Sequence, residues 1–238
     1  MQQPDHPGEL AHAMRQTSFT SLVDGARSLA GHVLELLPQR PGQSVLDLGT
    51  ASGDLAMILH AARPDLAVTG LDLAPANIAA AQLRSDEIQF VCVDYLAWEG
   101  GPFHLIVADG VLHLVEVPAA QLAAKLAGDL HPGGFLVATV PDAVLRNHLL
   151  LVLRRLYRLL PKAADRLALT VAGWVYRDFS RQELADRLLY MRLLPRLFGS
   201  AEHAAFAAAG LHLEANPPWP SLSIAKLRHR LMVWRRKT

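Results

Sequence analysis

Short, nearly unbroken apolar runs alternate along this chain with segments of helical spacing. The runs are 45–48, 67–71, 88–93, 103–108 and 135–140, each followed by glycine, aspartate or other turn residues. Runs without apolar–polar alternation suit strands buried on both faces, as in a parallel sheet. The stretches between them (55–59, 76–83 and 119–130) carry helical apolar spacing, and Pro75 stands where a helix tolerates proline, at its first turn. Before the first run, 12–37 reads as helix with Leu22, Ala26, Leu29, Val33 and Leu36 on one side, stopped by Pro38 and Pro41-Gly42. After the fifth run, 143–200 reads as two or three leucine-dense helices. A last helix (202–209) and two strands, 211–214 and 229–234, follow, joined through the turn at 216–220.

The first run ends in Asp47-Leu-Gly49-Thr-Ala-Ser-Gly53, and a strongly apolar helix begins at once. Glycines bracketing such a turn allow backbone angles that other residues reach only with strain, and let a ligand lie on the main chain. The helix that follows turns its free N–H groups and positive dipole end toward the same spot. A dinucleotide loop would need Gly-x-Gly-x-x-Gly. Here Ala51 takes the middle position, the third glycine is missing, and Asp47 is a poor neighbour for a pyrophosphate.

Asp72 ends the second run 19 residues beyond Gly53, where a carboxylate can accept ribose hydroxyls. Capping of the following helix is its plainer role. Asp94 ends the third run, placed to accept the exocyclic amine of adenine with Tyr95 and Leu96 over its faces. Open parallel sheets bind ligands beyond the carboxyl ends of their strands. Three acids there, Asp47, Asp72 and Asp94, would repel phosphate and favour a cation.

Asp47-x-Gly49-x-x-x-Gly53 resembles motif I of the class I S-adenosylmethionine methyltransferases. The strand leading to Asp109-Gly110 and then Leu112-His113, and Leu130-x-Pro-Gly-Gly-x-Leu136, are similar to the same family. The resemblance covers 45–142 by motif and 201–238 by organisation. It departs from the family at Ala51, where glycine is usual, and in the basic stretch 143–200.

The resemblance implies an α/β fold of one domain over 1–238. Its mostly parallel seven-stranded sheet would carry an antiparallel last strand and helices on both faces. Residues 1–40 would cap the cleft as a helical lid, 41–142 hold the cofactor, 143–200 form a helical insertion between strands five and six beside the acceptor, and 201–238 close the sheet. S-adenosyl-L-methionine is the implied cofactor, contacted by Asp47, Gly49, Thr50, Ala51, Gly53, Asp72, Leu73, Asp94, Tyr95 and Ala108. Acceptor contacts fall to Phe19, His113, Trp174, Tyr176 and Tyr190, with Arg15 a further lid residue. His113 and Asp109 are the candidate general bases, needed only if the acceptor must lose a proton. A structural imidazole or a steric contact is the alternative for His113, and His104 reads as structural. No Asn-Pro-Pro-Tyr-type sequence follows the fourth strand, which speaks against DNA as acceptor.

Composition then changes one part of the picture. The net charge of +1 conceals 6 Lys and Arg against 16 Asp and Glu in 1–142, and 17 against 6 in 143–238. Of these, 11 basic and 4 acidic residues lie in 143–200. A solvated face is the default for such charges, but their number tilts the reading toward an anionic acceptor or partner. The leucine repeat at 149, 153, 156 and 160 lies opposite Arg154, Arg155 and Arg158, and packing on the domain is its expected use. Peripheral membrane or acyl-carrier-protein contact is the alternative.

The leading expectation is methyl transfer, to oxygen or nitrogen, on a small, partly apolar metabolite that the basic stretch would allow to be anionic. Its rivals are a lipid or carrier-bound acceptor, a non-catalytic anionic-surface binder, and a nucleotide-dependent oxidoreductase. Neither a signal-peptide pattern nor ~20 uninterrupted apolar residues occur, so a cytoplasmic protein is expected. The single cysteine, Cys92, excludes an internal disulfide and reads as a buried strand residue, and no metal site is expected.

Overall fold

A computed structural model describes residues 23–161, 163–175, 177, 181–217, 219 and 227–238. The apolar runs become β1 (Ser44–Leu48), β2 (Ala67–Asp72), β3 (Gln89–Cys92), β4 (Phe103–Asp109) and β5 (Leu130–Pro141). The closing strands are β6 (Leu211–Ala215) and β7 (His229–Arg236). All seven form one sheet in the order β3-β2-β1-β4-β5-β7-β6. β1 pairs in parallel with both β2 and β4, β2 with β3, and β4 with β5. β7 runs antiparallel to both of its neighbours, β5 and β6. The order reverses between β1 and β4, which opens the crevice where such sheets take ligands.

Alternate side chains of the central strands build two cores. Val45, Leu105 and Val107 face one side, under α1 (Val23–Leu36), α2 (Asp54–Ala62) and α3 (Pro75–Gln82). Leu46, Ile106, Ala108 and Trp234 face the other, under α4 (Ala119–Gly128) and α8 (Ser200–Ala208). Between β5 and α8 lie α5 (Leu145–Arg158), α6 (Ala163–Val175) and α7 (Arg181–Arg192). α1, the described part of the expected lid, buries Ala26, Leu29 and Val33 against α2 and the sheet.

Four expectations change. Cys92 is exposed, because β3 is the edge strand and only Phe90 among its four residues is buried. His131-Pro-Gly-Gly134, expected as a turn, is absorbed into β5 as an irregularity. Phe103 pairs with Leu130 and Leu105 with Phe135, so the extra residues must arch out of the ladder. Gly133 takes φ 79° there, and a Cβ on Gly134 would come within 2.9 Å of the His131 carbonyl oxygen.

The third and fourth changes concern α5, which is turned over. Its leucine stripe, expected to pack on the domain, points outward, with Leu149 56%, Leu153 59% and Leu156 56% exposed. Arg154, expected on a solvated face, is 1% exposed. Asn147 is buried beside it and explains the orientation. Its Nδ2 donates to the carbonyls of Asp142 (2.7 Å) and Arg228 (2.9 Å), and its Oδ1 accepts from the Arg228 amide (2.8 Å). A buried amide with these bonds made is expensive to expose, and it fixes which face of the helix looks inward. At the other end, Arg192 of α7 bonds Asp165 of α6 at 2.8 Å and stacks on Tyr157 of α5.

Candidate active site

The loop between β1 and α2 is stitched to β2 before any ligand is considered. The amides of Gly49 and Thr50 both donate to the Leu71 carbonyl, at 2.8 and 2.9 Å. Gly49 needs to be glycine twice over, since its φ is +77° and a Cβ would meet Val111 Cγ2 at 2.2 Å. The loop after β1 and the turn after β4 are therefore in contact across the crevice. Ala51, where the family has glycine, is the one non-glycine residue with positive φ (49°) among the described residues. An L-residue resists that region by about 1–2 kcal/mol. The Ala51 amide donates to Asp72 Oδ2 at 2.9 Å, which holds it there.

Asp72 performs the capping task as well. Its Oδ1 accepts from the Ala74 amide (2.8 Å) and from Asn77 Nδ2 (3.3 Å) at the start of α3. With three donors already bound, a carboxylate has about one lone-pair direction left. That is room for one ribose hydroxyl in this arrangement, not the pair. Leu73, next in the chain, offers its carbonyl to the Cys92 thiol at 3.7 Å. Asp94 lies just past β3, its Oδ1 accepting the Leu96 amide at 3.0 Å and so ordering the turn over Tyr95–Ala97.

Asp47 sits beneath the loop, 2% exposed, accepting from the Thr50 hydroxyl at 2.7 Å and from the Ala56 amide in the first turn of α2. Burial raises its pKa to about 7, and the negative charges of Asp109 and Asp72 add to the rise. Those two influences show that three carboxylates converge at the crevice. Asp109, at the end of β4, accepts from the Thr139 hydroxyl, which itself accepts from the Gly110 amide at 2.8 Å.

Beyond Asp109 the character changes. His113 is buried in the short turn Leu112–Leu114, its ring 5.3 Å from that of His229 at the start of β7. Its pKa lies well below the ordinary imidazole range, through burial first, then the proximity of His229 and of Arg154. The Arg196 amide donates to the His113 carbonyl at 3.0 Å, and the Arg196 side chain donates to that of Val117. Asp47 and Asp72 thus lie on the β1–β2 side of the crevice with Asp109 facing them from the end of β4, and a neutral imidazole with two guanidiniums lies beyond Asp109.

Not every residue singled out in the sequence arrives there. Tyr95 is 4% exposed and packs in the core with Lys125 Nζ 4.9 Å from its ring centre, so its ring does not cover an adenine. The ring joins the core beside Lys125 of α4 instead. The Ala108 side chain is wholly buried in the core under α4 and reaches the crevice only through its backbone. Trp174 is 81% exposed on α6. Phe19, Arg15 and Tyr176 lie outside the described residues, as does the side chain of Tyr190. Arg154, Arg196, His229 and Asn77 were missed. His229 opens a strand that was readable, whereas no sequence signal says that Arg154 turns inward.

A seven-stranded sheet with an antiparallel β7, a glycine-bracketed β1–α2 loop and an acidic rim together define the class I methyltransferase fold. Residues 46–136 match the family model described as "Methyltransferase domain". Residues 46–136 thus match a methyltransferase domain, and the fold around them is that of the class I S-adenosylmethionine-dependent methyltransferases. It is similar to trans-aconitate 2-methyltransferase from Methylobacterium radiotolerans, 32% identical over 126 residues, covering 52% of this chain and 48% of that protein. The enzyme of that name from Yersinia pseudotuberculosis is 33% identical over 119 residues, covering 49% and 44%. The chain spans about half the length of these curated relatives. In fold it resembles the N-methyltransferase NodS from Bradyrhizobium japonicum with S-adenosyl-L-homocysteine, with TM-score 0.56 and 18% identity over 96% of this chain and 94% of that one. Among the described residues, no helix is long and apolar enough to cross a membrane.

Proposed function

We propose that this chain transfers a methyl group from S-adenosylmethionine to a carboxylate oxygen of a small molecule held between Asp109, His113 and α5. The observation that supports it most is Arg154, a guanidinium brought inward on α5 next to a neutral, buried histidine.

The crevice suits the cofactor by its own features. Gly49 lets the loop close on Val111 without a Cβ between them, and the acids on the β1–β2 side suit an ammonium and a sulfonium better than a phosphate. Asp72 would hold the ribose and the amide that shapes the loop. Asp94 and the turn it orders would hold the adenine. Asp47 would face the cationic end through the loop. S-adenosylmethionine, when bound, supplies a methyl group already activated by its sulfonium.

The remaining work falls to positioning and exclusion of water. A histidine whose pKa is driven down is a weak base, so His113 suits an acceptor that arrives without a proton to lose. A carboxylate is such an acceptor. Arg154 would neutralise and orient it, because a guanidinium pairs with a carboxylate through two parallel hydrogen bonds. His113 would then fix the acceptor's distance from the methyl group. The named substrate of the matched relatives, aconitate, is itself a carboxylate, which agrees with this reading.

Radiolabelled methyl transfer to a panel of small carboxylic acids, with amines and phenols alongside, tests the proposal. Counts released as methanol by mild alkali identify a methyl ester, and Arg154→Gln should lower transfer at least ~30-fold, about 2 kcal/mol for a lost charged hydrogen bond. Alkali-stable product on an amine would overturn the carboxylate assignment and leave the cofactor assignment standing.

A further inference from the structure

Helix α5 presents the reverse of what a surface helix of a globular domain shows. Such helices bury their apolar stripe and expose their charges. Here Leu145, Leu149, Val152, Leu153 and Leu156 recur at helical spacing on the outer face, each about half exposed or more. The inner face carries Asn147 and Arg154, both buried. The Asn147 bonds to Asp142 and Arg228 prevent the helix from rolling its leucines inward. Exposed apolar surface of this extent marks a contact with something else.

Charge says what that something is. Arg155 is exposed at the border of the leucine face, and Arg166 is exposed on α6. The 143–200 stretch as a whole carries 11 basic against 4 acidic residues, while the half of the chain that forms the cofactor side is acidic. α6 repeats the arrangement, with Leu167, Val171 and Trp174 exposed three and four residues apart. Tryptophan favours the boundary between hydrocarbon and water. Leucines on one face, arginines at its edge and a tryptophan nearby form the pattern of a helix lying in the plane of an anionic membrane surface.

We infer that α5 docks this protein on anionic lipid bilayers, its leucine face in the acyl–headgroup boundary and Arg155 on the lipid phosphates. A soluble acidic protein would satisfy the arginines but would leave the leucines without an equally apolar partner. The inference is independent of the acceptor and of methyl transfer itself.

Flotation of the full chain with vesicles tests it without reference to activity. Vesicles of roughly one part phosphatidylglycerol to three of phosphatidylcholine should carry the protein up a density gradient, and phosphatidylcholine alone should carry about tenfold less. Leu149→Glu/Leu153→Glu should abolish flotation while leaving the circular dichroism spectrum unchanged, since both positions are exposed. Arg155→Glu, the second variant, should lower it severalfold, and moderate salt should weaken wild-type binding without eliminating it. Absence of flotation with the anionic vesicles would overturn the inference. So would flotation that neither variant alters, or a dimer in size-exclusion chromatography that Leu149→Glu/Leu153→Glu dissolves, which would assign the face to a second copy of the chain.

Discussion

The crevice side of the sheet and the α5–α7 helices use leucine in opposite ways. In β1 and β4, Leu46, Leu48 and Leu105 are buried, and polar groups lie toward the strand ends. In α5 the leucines are outside and an asparagine and an arginine are inside. The same residue type at regular spacing thus reports where apolar surface lies, and leaves open what it meets. A strand flanked on both sides by strands and helices has no choice of environment. A helix added at the edge has two, and α5 follows the polar bonds of Asn147.

The comparison breaks most visibly in stability. Leu46→Ala should cost about 2–5 kcal/mol, while Leu149→Ala should stay within about 0.5 kcal/mol, both read by urea denaturation. Equal losses would mean that α5 also packs its leucine face.

Acidity offers the next test. Asp47 has a folded pKa of about 7 against an ordinary 3.8, so its contribution to stability is fully present below about pH 3.8 and is lost as pH rises through 7. Asp47→Asn removes that loss, and the variant should gain a few kcal/mol on the wild type between pH 4 and 8, at about 1.4 kcal/mol per pH unit. Parallel stability curves would show that the carboxylate ionises freely beneath the loop.

Asp72→Ala should weaken S-adenosylhomocysteine binding about 100-fold in calorimetry, since one bond to a ribose hydroxyl and the Ala51 bond that shapes the loop, at about 1.5 kcal/mol each, are both lost. Asp72→Asn, which keeps one acceptor, should lose about tenfold. Equal losses would assign the residue to the ligand alone. Ala51→Gly is the smallest effect, a gain within about 1 kcal/mol, because relief of the positive φ is offset by the greater freedom of glycine when unfolded.

Much of this was readable from the chain. Strand positions followed from apolar runs, the loop from Gly49 and Gly53, and the acids from where the runs ended. Burial on both faces leaves a strand few alternatives, which is why that half yields to inspection. The failures share one cause, a neighbour that spacing does not reveal. Cys92 is exposed because β3 is an edge strand, and the Tyr95 ring packs in the core beside Lys125. His131–Gly134 has the composition of a turn and the pairing of a bulge. Arg154 depends on bonds between Asn147 and Arg228, 81 residues apart.

The place of β7 also sets a timetable for assembly. It fills the gap between β5 and β6, so β5 keeps an open edge, and β6 a missing partner, until His229–Arg236 has left the ribosome. Two of the three bonds that orient α5 run to Arg228, the residue before that strand, so most of what fixes its inward face arrives only when β7 docks. During synthesis the first four strands can consolidate while α5 waits with both faces uncommitted. Pulse proteolysis of chains released after residue 227 should cut within α5 early, and the same sites should be protected once β7 is present. Equal protection in both would show that the helix finds its orientation without the last strand.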